Sequence, residues 1–201
     1  MNMFEKDLCE KLGKEKFEKI QRTSIGIAGC GGLGSNCAVN LVRSGFKHFV
    51  LVDLDKVEHG NLNRQFYFAD QVGKNKSEAL KENLLKINPE IEIMSLVNKL
   101  DEKNISLTFS SCQIIVEAFD EAKTKAMLAN AFMDTDMFVV SGSGMAGIGN
   151  SDDIKINKIK DNFYIVGDLN SDIKDAPPFS PRVNIVAAKQ SDLILEHTLN
   201  S

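Results

Sequence analysis

Gly29-Cys30-Gly31-Gly32-Leu33-Gly34 stands between the apolar run Ile25-Gly26-Ile27-Ala28 and a segment whose Ala38, Leu41 and Val42 recur with helical spacing. The order reads as strand, tight turn, helix. Glycines let the backbone turn sharply and approach a ligand closely, and the helix N-terminus that follows offers unpaired N–H groups and the positive end of its dipole. An anionic ligand, a nucleotide, is expected there. Gly29, Gly31 and Gly34 also meet the dinucleotide spacing G-x-G-x-x-G, and Asp53 ends the next apolar run, Phe49-Val50-Leu51-Val52, near the usual place of a ribose-binding acid. Loop and acid together specify a nucleotide without saying which one.

Around this unit the chain has 201 residues, 43% hydrophobic and 26% charged, enough to bury one full core. A single domain over residues 1–201 is expected, with an N-terminal helical segment (1–22), a nucleotide-binding core (23–145) and a C-terminal extension (146–201). The net charge of −4 argues against a general binder of nucleic acid or of anionic membranes, so phosphate contacts must be local. The charged start, Met1 to Glu10, lacks the apolar stretch of a signal peptide or membrane anchor, and a cytoplasmic protein is expected. Cys9, Cys30, Cys37 and Cys112 form no C-x-x-C pair, which supports neither a zinc ribbon nor a disulfide framework.

The α/β alternation continues along the chain. Phe4, Leu8, Leu12, Phe17 and Ile20 suggest amphipathic helical pieces broken at Gly13, ahead of the core. Ala79, Leu80, Leu84 and Ile87 predict a helix stopped by Asn88-Pro89, and Ile91 and Ile93 alternate as a strand would. Apolar runs at 113–118 and 137–140 flank a helix predicted over 122–133, which brings a doubly wound, Rossmann-like, mostly parallel sheet to about five strands. Residues 154–159 and 163–166 predict an antiparallel extension near the C-terminus, followed by a last helix from about Val183 to Leu195. The loop 53–73 is too long for an ordinary connection and holds the densest chemistry.

That loop supplies Asn61, Asn63, Arg64 and Gln65, and Lys76 opens the next helix. A planar guanidinium fork and an ammonium point charge, with three amides, suit a triphosphate better than a nicotinamide dinucleotide. Asp120 follows the run Ile114 to Ala118, where a parallel strand presents it at the sheet's carboxyl edge, placed to hold Mg²⁺ against phosphates. Each residue also has a plain structural reading: surface charges for Arg64 and Lys76, a helix N-cap for Asp120, local packing for Phe66-Tyr67-Phe68. Their combination favours the site. A nicotinamide-dependent oxidoreductase, supported by the fingerprint and Asp53 alone, leaves Arg64, Gln65 and Lys76 unexplained; a non-catalytic nucleotide-binding scaffold is permitted by the same residues.

Gly29–Gly34, Asp53-Leu-Asp55, Asn61-Leu-Asn-Arg-Gln65, Gly73-Lys-Asn-Lys76, Ile87-Asn-Pro89 and Phe119-Asp120 carry a resemblance to the ThiF and MoeB family, bacterial relatives of ubiquitin-activating enzymes. It runs in order and spacing over roughly residues 22–145. The carboxyl half, with Asp161-Asn-Phe-Tyr and Ala187-Ala-Lys-Gln190, is similar to a compact ThiF branch that adenylates sulfur carriers of ThiS type.

The resemblance implies ATP- and magnesium-dependent adenylation of the C-terminal glycine carboxylate of a ubiquitin-fold carrier ending in Gly-Gly, in thiamine thiazole biosynthesis, by a homodimer. By position, Gly32 and Asp53 match the adenosine side, Gly60 to Arg64 and Lys76 the phosphate binders, and Asp120 the magnesium-associated acid; Asp55 is expected among the cofactor-binding residues. Arg64, Lys76 and Asp120 are the expected catalytic residues. Longer relatives carry two C-x-x-C zinc pairs absent here, so no zinc is expected. The family's Asp-Asn pair is Asp120-Glu121 in this chain and its following Arg is Lys125, which leaves the contacts of that helix open. The N-terminal Arg that crosses the dimer in relatives has no counterpart among residues 1–20.

Overall fold

A computed structural model describes residues 1–200. The elements are α1 (Met3–Leu12), α2 (Lys14–Arg22), β1 (Ser24–Ala28), α3 (Gly32–Arg43), β2 (His48–Val52), α4 (Lys76–Ile87), β3 (Glu92–Leu96), α5 (Ile105–Thr108), β4 (Ile114–Glu117), α6 (Ala122–Phe132), β5 (Phe138–Gly142), β6 (Lys155–Lys160), β7 (Phe163–Gly167) and α7 (Ser180–Asn200). Gly13 separates α1 from α2 with a φ of 82°, as its place in the sequence suggested.

Seven strands form one sheet in the order β3-β2-β1-β4-β5-β7-β6. Six run parallel; β6 alone is antiparallel, paired with β7. The expected C-terminal hairpin is therefore present, but β7 joins β5 in parallel and lengthens the parallel sheet by one strand. Central strands are buried on both faces, which is why β1, β2, β4 and β5 read as continuous apolar runs.

One face packs against α2, α3, α4 and α7 through Ile20, Leu41, Leu80, Leu84, Val186 and Ile194. The other packs against α5 and α6 through Ile105, Phe109, Leu128 and Phe132. The last helix starts at Ser180, ahead of the expected Val183, because Pro181 sits in its first turn, where a missing N–H costs nothing. At the edges, β3 exposes Met94 and β6 exposes Lys155, Lys158 and Lys160.

Near the end of α7 the His197 ring stacks on Phe138 at the start of β5, with centroids 3.7 Å apart and planes 6° from parallel. Burial, and then the charge of Lys19, holds the His197 pKa below its ordinary value. The unfolded chain therefore takes up this proton first, and stability is lost as pH falls through about 6.5, the unfolded value. His197→Gln is expected to flatten the fall in melting temperature between about pH 7.5 and 5.5, measured by calorimetry.

Candidate functional site

The sheet order reverses between β1 and β4, and a crevice opens there beyond the carboxyl ends of the strands. The glycine loop leaves β1 on one side of it and Asp120 follows β4 on the other. Gly29 has a φ of 96°, and a Cβ there would meet the Ala118 carbonyl oxygen at 2.8 Å. A Cβ at Gly34 would overlap the Gly29 carbonyl, so this glycine lets α3 close onto the loop. No side chain caps the N-terminus of α3, where Gly31 is the flanking residue. Its first N–H groups face the crevice without a side-chain partner.

Asp53 organises this loop. Its Oδ2 accepts the Cys30 N–H at 2.6 Å and its Oδ1 accepts the Asp55 N–H at 2.7 Å. Burial pushes the carboxylate's pKa up, opposed by those two N–H bonds and by the charge of Lys76. Cys30 itself is fully buried, and burial followed by the charge of Asp53 raises its thiol well above the usual range. It is a packing group rather than a nucleophile.

The long loop is closed at its base. Lys56 and Asn75 form an antiparallel bridge, and the Lys76 N–H reaches the Asp55 carbonyl at 2.8 Å. Lys76 Nζ lies 2.8 Å from Asp55 Oδ2; the lysine side chain is 9% exposed and the aspartate 66%. Within the loop, Asn36 Nδ2 holds the Arg64 carbonyl at 2.8 Å and Ser35 Oγ accepts the Phe66 N–H at 3.0 Å. The buried Tyr67 hydroxyl lies 2.6 Å from the Cys30 carbonyl and 3.1 Å from that of Lys76, joining the glycine loop to the start of α4. Of the aromatic run, Tyr67 is core and Phe68 half exposed.

These elements enclose a cavity of about 710 Å³. Gly29, Gly31, Gly32, Asp53 and Asp55 line it, and so do Arg64, Gln65, Lys76 and Asp120. Gly34, Gly60, Asn61 and Asn63 stand outside its lining and build the frame. The Asn61 side chain caps the turn at His59 by accepting the Glu58 N–H at 3.0 Å, while Gly60 O and Asn63 Oδ1 accept from Arg64 Nη1 at 3.1 and 2.8 Å. The rest of that guanidinium fork makes no hydrogen bond among the described residues. Gln65 is buried with its Oε1 unpartnered, an acceptor left over in the cavity wall. Asp120 is exposed, and the residue flanking α6 is Glu121, with no side-chain cap, so the helix-cap alternative for Asp120 does not hold.

Two charged networks had escaped the sequence reading. Glu117, 1% exposed at the end of β4, accepts from Lys125 Nζ at 3.1 and 3.0 Å, from the Phe119 N–H at 2.7 Å and from Ser141 Oγ. Lys125 also donates to the Gly142 carbonyl at 2.8 Å, so it ties β4, α6 and β5 together behind Asp120. The signal was a carboxylate inside an apolar strand. The second network joins Arg182 to Asp168. Only four of the 24 basic residues are arginines (Arg22, Arg43, Arg64 and Arg182), which marks the positions where a fork rather than a point charge is used.

Comparison with known proteins gives a match to the ThiF family over residues 5–164. The chain is 31% identical to SUMO-activating enzyme subunit 2 of Dictyostelium discoideum over 142 residues, covering 70% of this chain and 21% of that protein. It is 32% identical to the adenylyltransferase and sulfurtransferase MOCS3 of Aedes aegypti over 139 residues, 69% of this chain and 32% of the relative. The chain thus spans between a fifth and a third of those relatives' lengths. Among solved structures, E. coli tRNA N6-threonylcarbamoyladenosine dehydratase in complex with AMP shares the fold, with a TM-score of 0.81 at 20% identity, over 97% of this chain and 92% of that one.

Proposed function

This chain belongs to the ThiF family, and we propose that it is an ATP-dependent adenylyltransferase that activates the C-terminal carboxylate of a partner protein. The observation that carries this reading is the convergence of the glycine loop, Asp53, Arg64, Lys76 and Asp120 on one cavity. A nicotinamide dinucleotide asks for fewer cations than Arg64 and Lys76 supply at this cavity. For the acceptor we infer a ThiS-like, ubiquitin-fold sulfur carrier ending in Gly-Gly, serving thiamine thiazole synthesis, with the enzyme working as a homodimer in the cytoplasm.

In this reading the carrier's carboxylate, ionised at neutral pH, attacks the α-phosphorus of ATP. An oxygen–phosphorus bond forms to the carrier, the bond to the β-phosphate oxygen breaks, and pyrophosphate leaves. The residues of the chain position and stabilise. Lys76 uses one donor on Asp55 and keeps two for phosphate oxygens, in a low-dielectric place where its charge acts strongly. Arg64 offers the unused side of its fork. Among the described residues no group of three or more His, Cys, Asp or Glu could hold a metal by itself. Mg²⁺ takes one or two carboxylates plus substrate phosphates, which the Asp120 and Glu121 pair at the cavity wall fits. When bound there it would offset the charge of the leaving pyrophosphate.

Two measurements test the proposal. Calorimetry should show Mg·ATP binding and no comparable NAD binding, and ATP–pyrophosphate exchange should require a Gly-Gly-ending carrier. Tight NAD binding without ATP binding would return the oxidoreductase. Carrier binding with ATP but no exchange would leave a nucleotide-binding scaffold.

A further inference from the structure

The cavity has two chemically different halves. Arg64 and Lys76 stand with the glycine loop, and Asp120 and Lys125 line the side beyond β4. The other wall, from Gly142 to Ala146 and from Ser171 to Pro178, contributes Met145, Ala146, Ile173, Pro177 and Pro178 with one carboxylate, Asp172, and no lysine or arginine of its own; Lys125 touches it at the Gly142 carbonyl and Asn63 at that of Pro178. A triphosphate has nothing to bind on that wall, whereas an uncharged, extended peptide tail does.

What holds this wall is a clamp that makes no hydrogen bond to the glycine loop, although Val183, the residue after Arg182, packs against Gly32. The Arg182 side chain, 6% exposed, pairs through Nη2 with Asp168 Oδ2, whose side chain is 12% exposed. Its Nη1 donates to the carbonyls of Gly149 and Asn150. Asp168 Oδ1 in turn accepts the N–H groups of Asn170 and Ser171 at 2.9 and 2.8 Å, and Ser171 Oγ accepts the Ala146 N–H at 3.1 Å. Asp168 N–H also bonds the Gly144 carbonyl at 3.0 Å, and a Cβ at Gly144 would overlap the Asp168 carboxylate. Two residues beside the clamp, Asn150 and Leu169, keep left-handed backbone with φ of 48° and 59°. Non-glycine residues hold that conformation only where their surroundings impose it. The bonds from Asn170 and Ser171 and the charge of Arg182 outweigh burial and keep the Asp168 carboxyl below the usual range.

We propose that the Asp168–Arg182 pair is a positioning device for the acceptor: it fixes the loops 143–150 and 168–178 as the wall that receives the partner's C-terminal tail, and it does so without serving the nucleotide. This rests on the adenylation reading above and adds to it which part of the chain selects the acceptor. Arginine is required because one planar fork must reach two carbonyls and a carboxylate at once, which a lysine point charge does not do.

The test compares Asp168→Asn, Arg182→Lys and the wall variant Ile173→Lys with the native protein. The probes are Mg·ATP in calorimetry and a ubiquitin-fold protein ending in Gly-Gly in pyrophosphate exchange; amide hydrogen exchange reports the loops. All three variants should keep ATP affinity within about twofold and raise the acceptor KM about tenfold or more. The two clamp variants should also exchange amide protons faster at 143–150 and 168–173. Breaking a buried pair is costly, so a clamp variant that fails to fold is read through Ile173→Lys, whose side chain is half exposed. Loops that loosen with an unchanged acceptor KM overturn the inference, as does ATP affinity falling in step with acceptor affinity. Native protein inert with every Gly-Gly probe overturns the adenylation reading itself.

Discussion

Replacing Lys76 by methionine is expected to slow acyl-adenylate formation about 10²–10³-fold at saturating ATP, the usual cost of removing one preorganised donor from developing charge. The fold should survive. Lys76 is buried but its partner Asp55 is 66% exposed, so the deserted carboxylate turns into water and no unpaired charge is left inside. Methionine keeps the volume of the stem. Single-turnover formation of the adenylate, measured beside a melting curve, separates the two effects. A variant that unfolds would overturn the expectation that the fold survives, and a folded one that adenylates at the native rate would remove Lys76 from the proposed chemistry.

The second large effect is expected at Asp53, and Asp120 is its contrast. Asp53→Ala deletes the acceptor of two backbone N–H bonds, one from Cys30 in the glycine loop and one from Asp55 in the turn after β2, each worth about 1.5–3 kcal/mol when the acceptor is charged. Melting temperature and ATP affinity should both fall, because the loop loses its template as well as a ligand acceptor. Asp120→Ala should leave the melting temperature unchanged, since its exposed carboxylate makes no hydrogen bond to the protein among the described residues. Saturated turnover should drop instead, if Asp120 holds the magnesium ion that meets the leaving group. Native-rate turnover in Asp120→Ala at saturating ATP and magnesium would end that role. Unchanged stability in Asp53→Ala would show that the loop holds its shape without the acid.

The glycine loop was legible because its requirement is local: three glycines at fixed offsets before an apolar helical repeat leave few alternatives. Asp53 was legible as an acid at a strand end. Its grip on Cys30 was not, because that contact exists only once β1 and β2 pair with Ala28 opposite Val52. Glu117 with Lys125 and Asp168 with Arg182 escaped because each joins a strand end to a helix that reaches it only in the folded chain, although the carboxylate inside the apolar run of β4 was a signal. The four-residue α5 is too short to show a helical period, and the start of α7 at Ser180 was hidden because the place of Pro181 in a first turn becomes visible only with the helix formed. The family resemblance implies phosphate contacts for Gly60, Asn61 and Asn63; in the structure their polar atoms also brace Arg64 and its turn.

The unequal edges of the sheet bear on how the chain behaves when crowded. An open edge strand is a template on which another chain can add its own strand, and repeated addition leads to aggregates. At β6 the run Lys155-Ile156-Asn157-Lys158-Ile159-Lys160 sets lysines along the edge, and its register slips between Lys158 and Lys160, so an incoming strand meets repulsion and a broken ladder. At β3 the middle of the edge is Met94, 58% exposed. Although β6 also exposes Ile156 and Ile159, β3 is the edge expected to add a foreign strand first, and Met94→Lys should lower light scattering at high concentration.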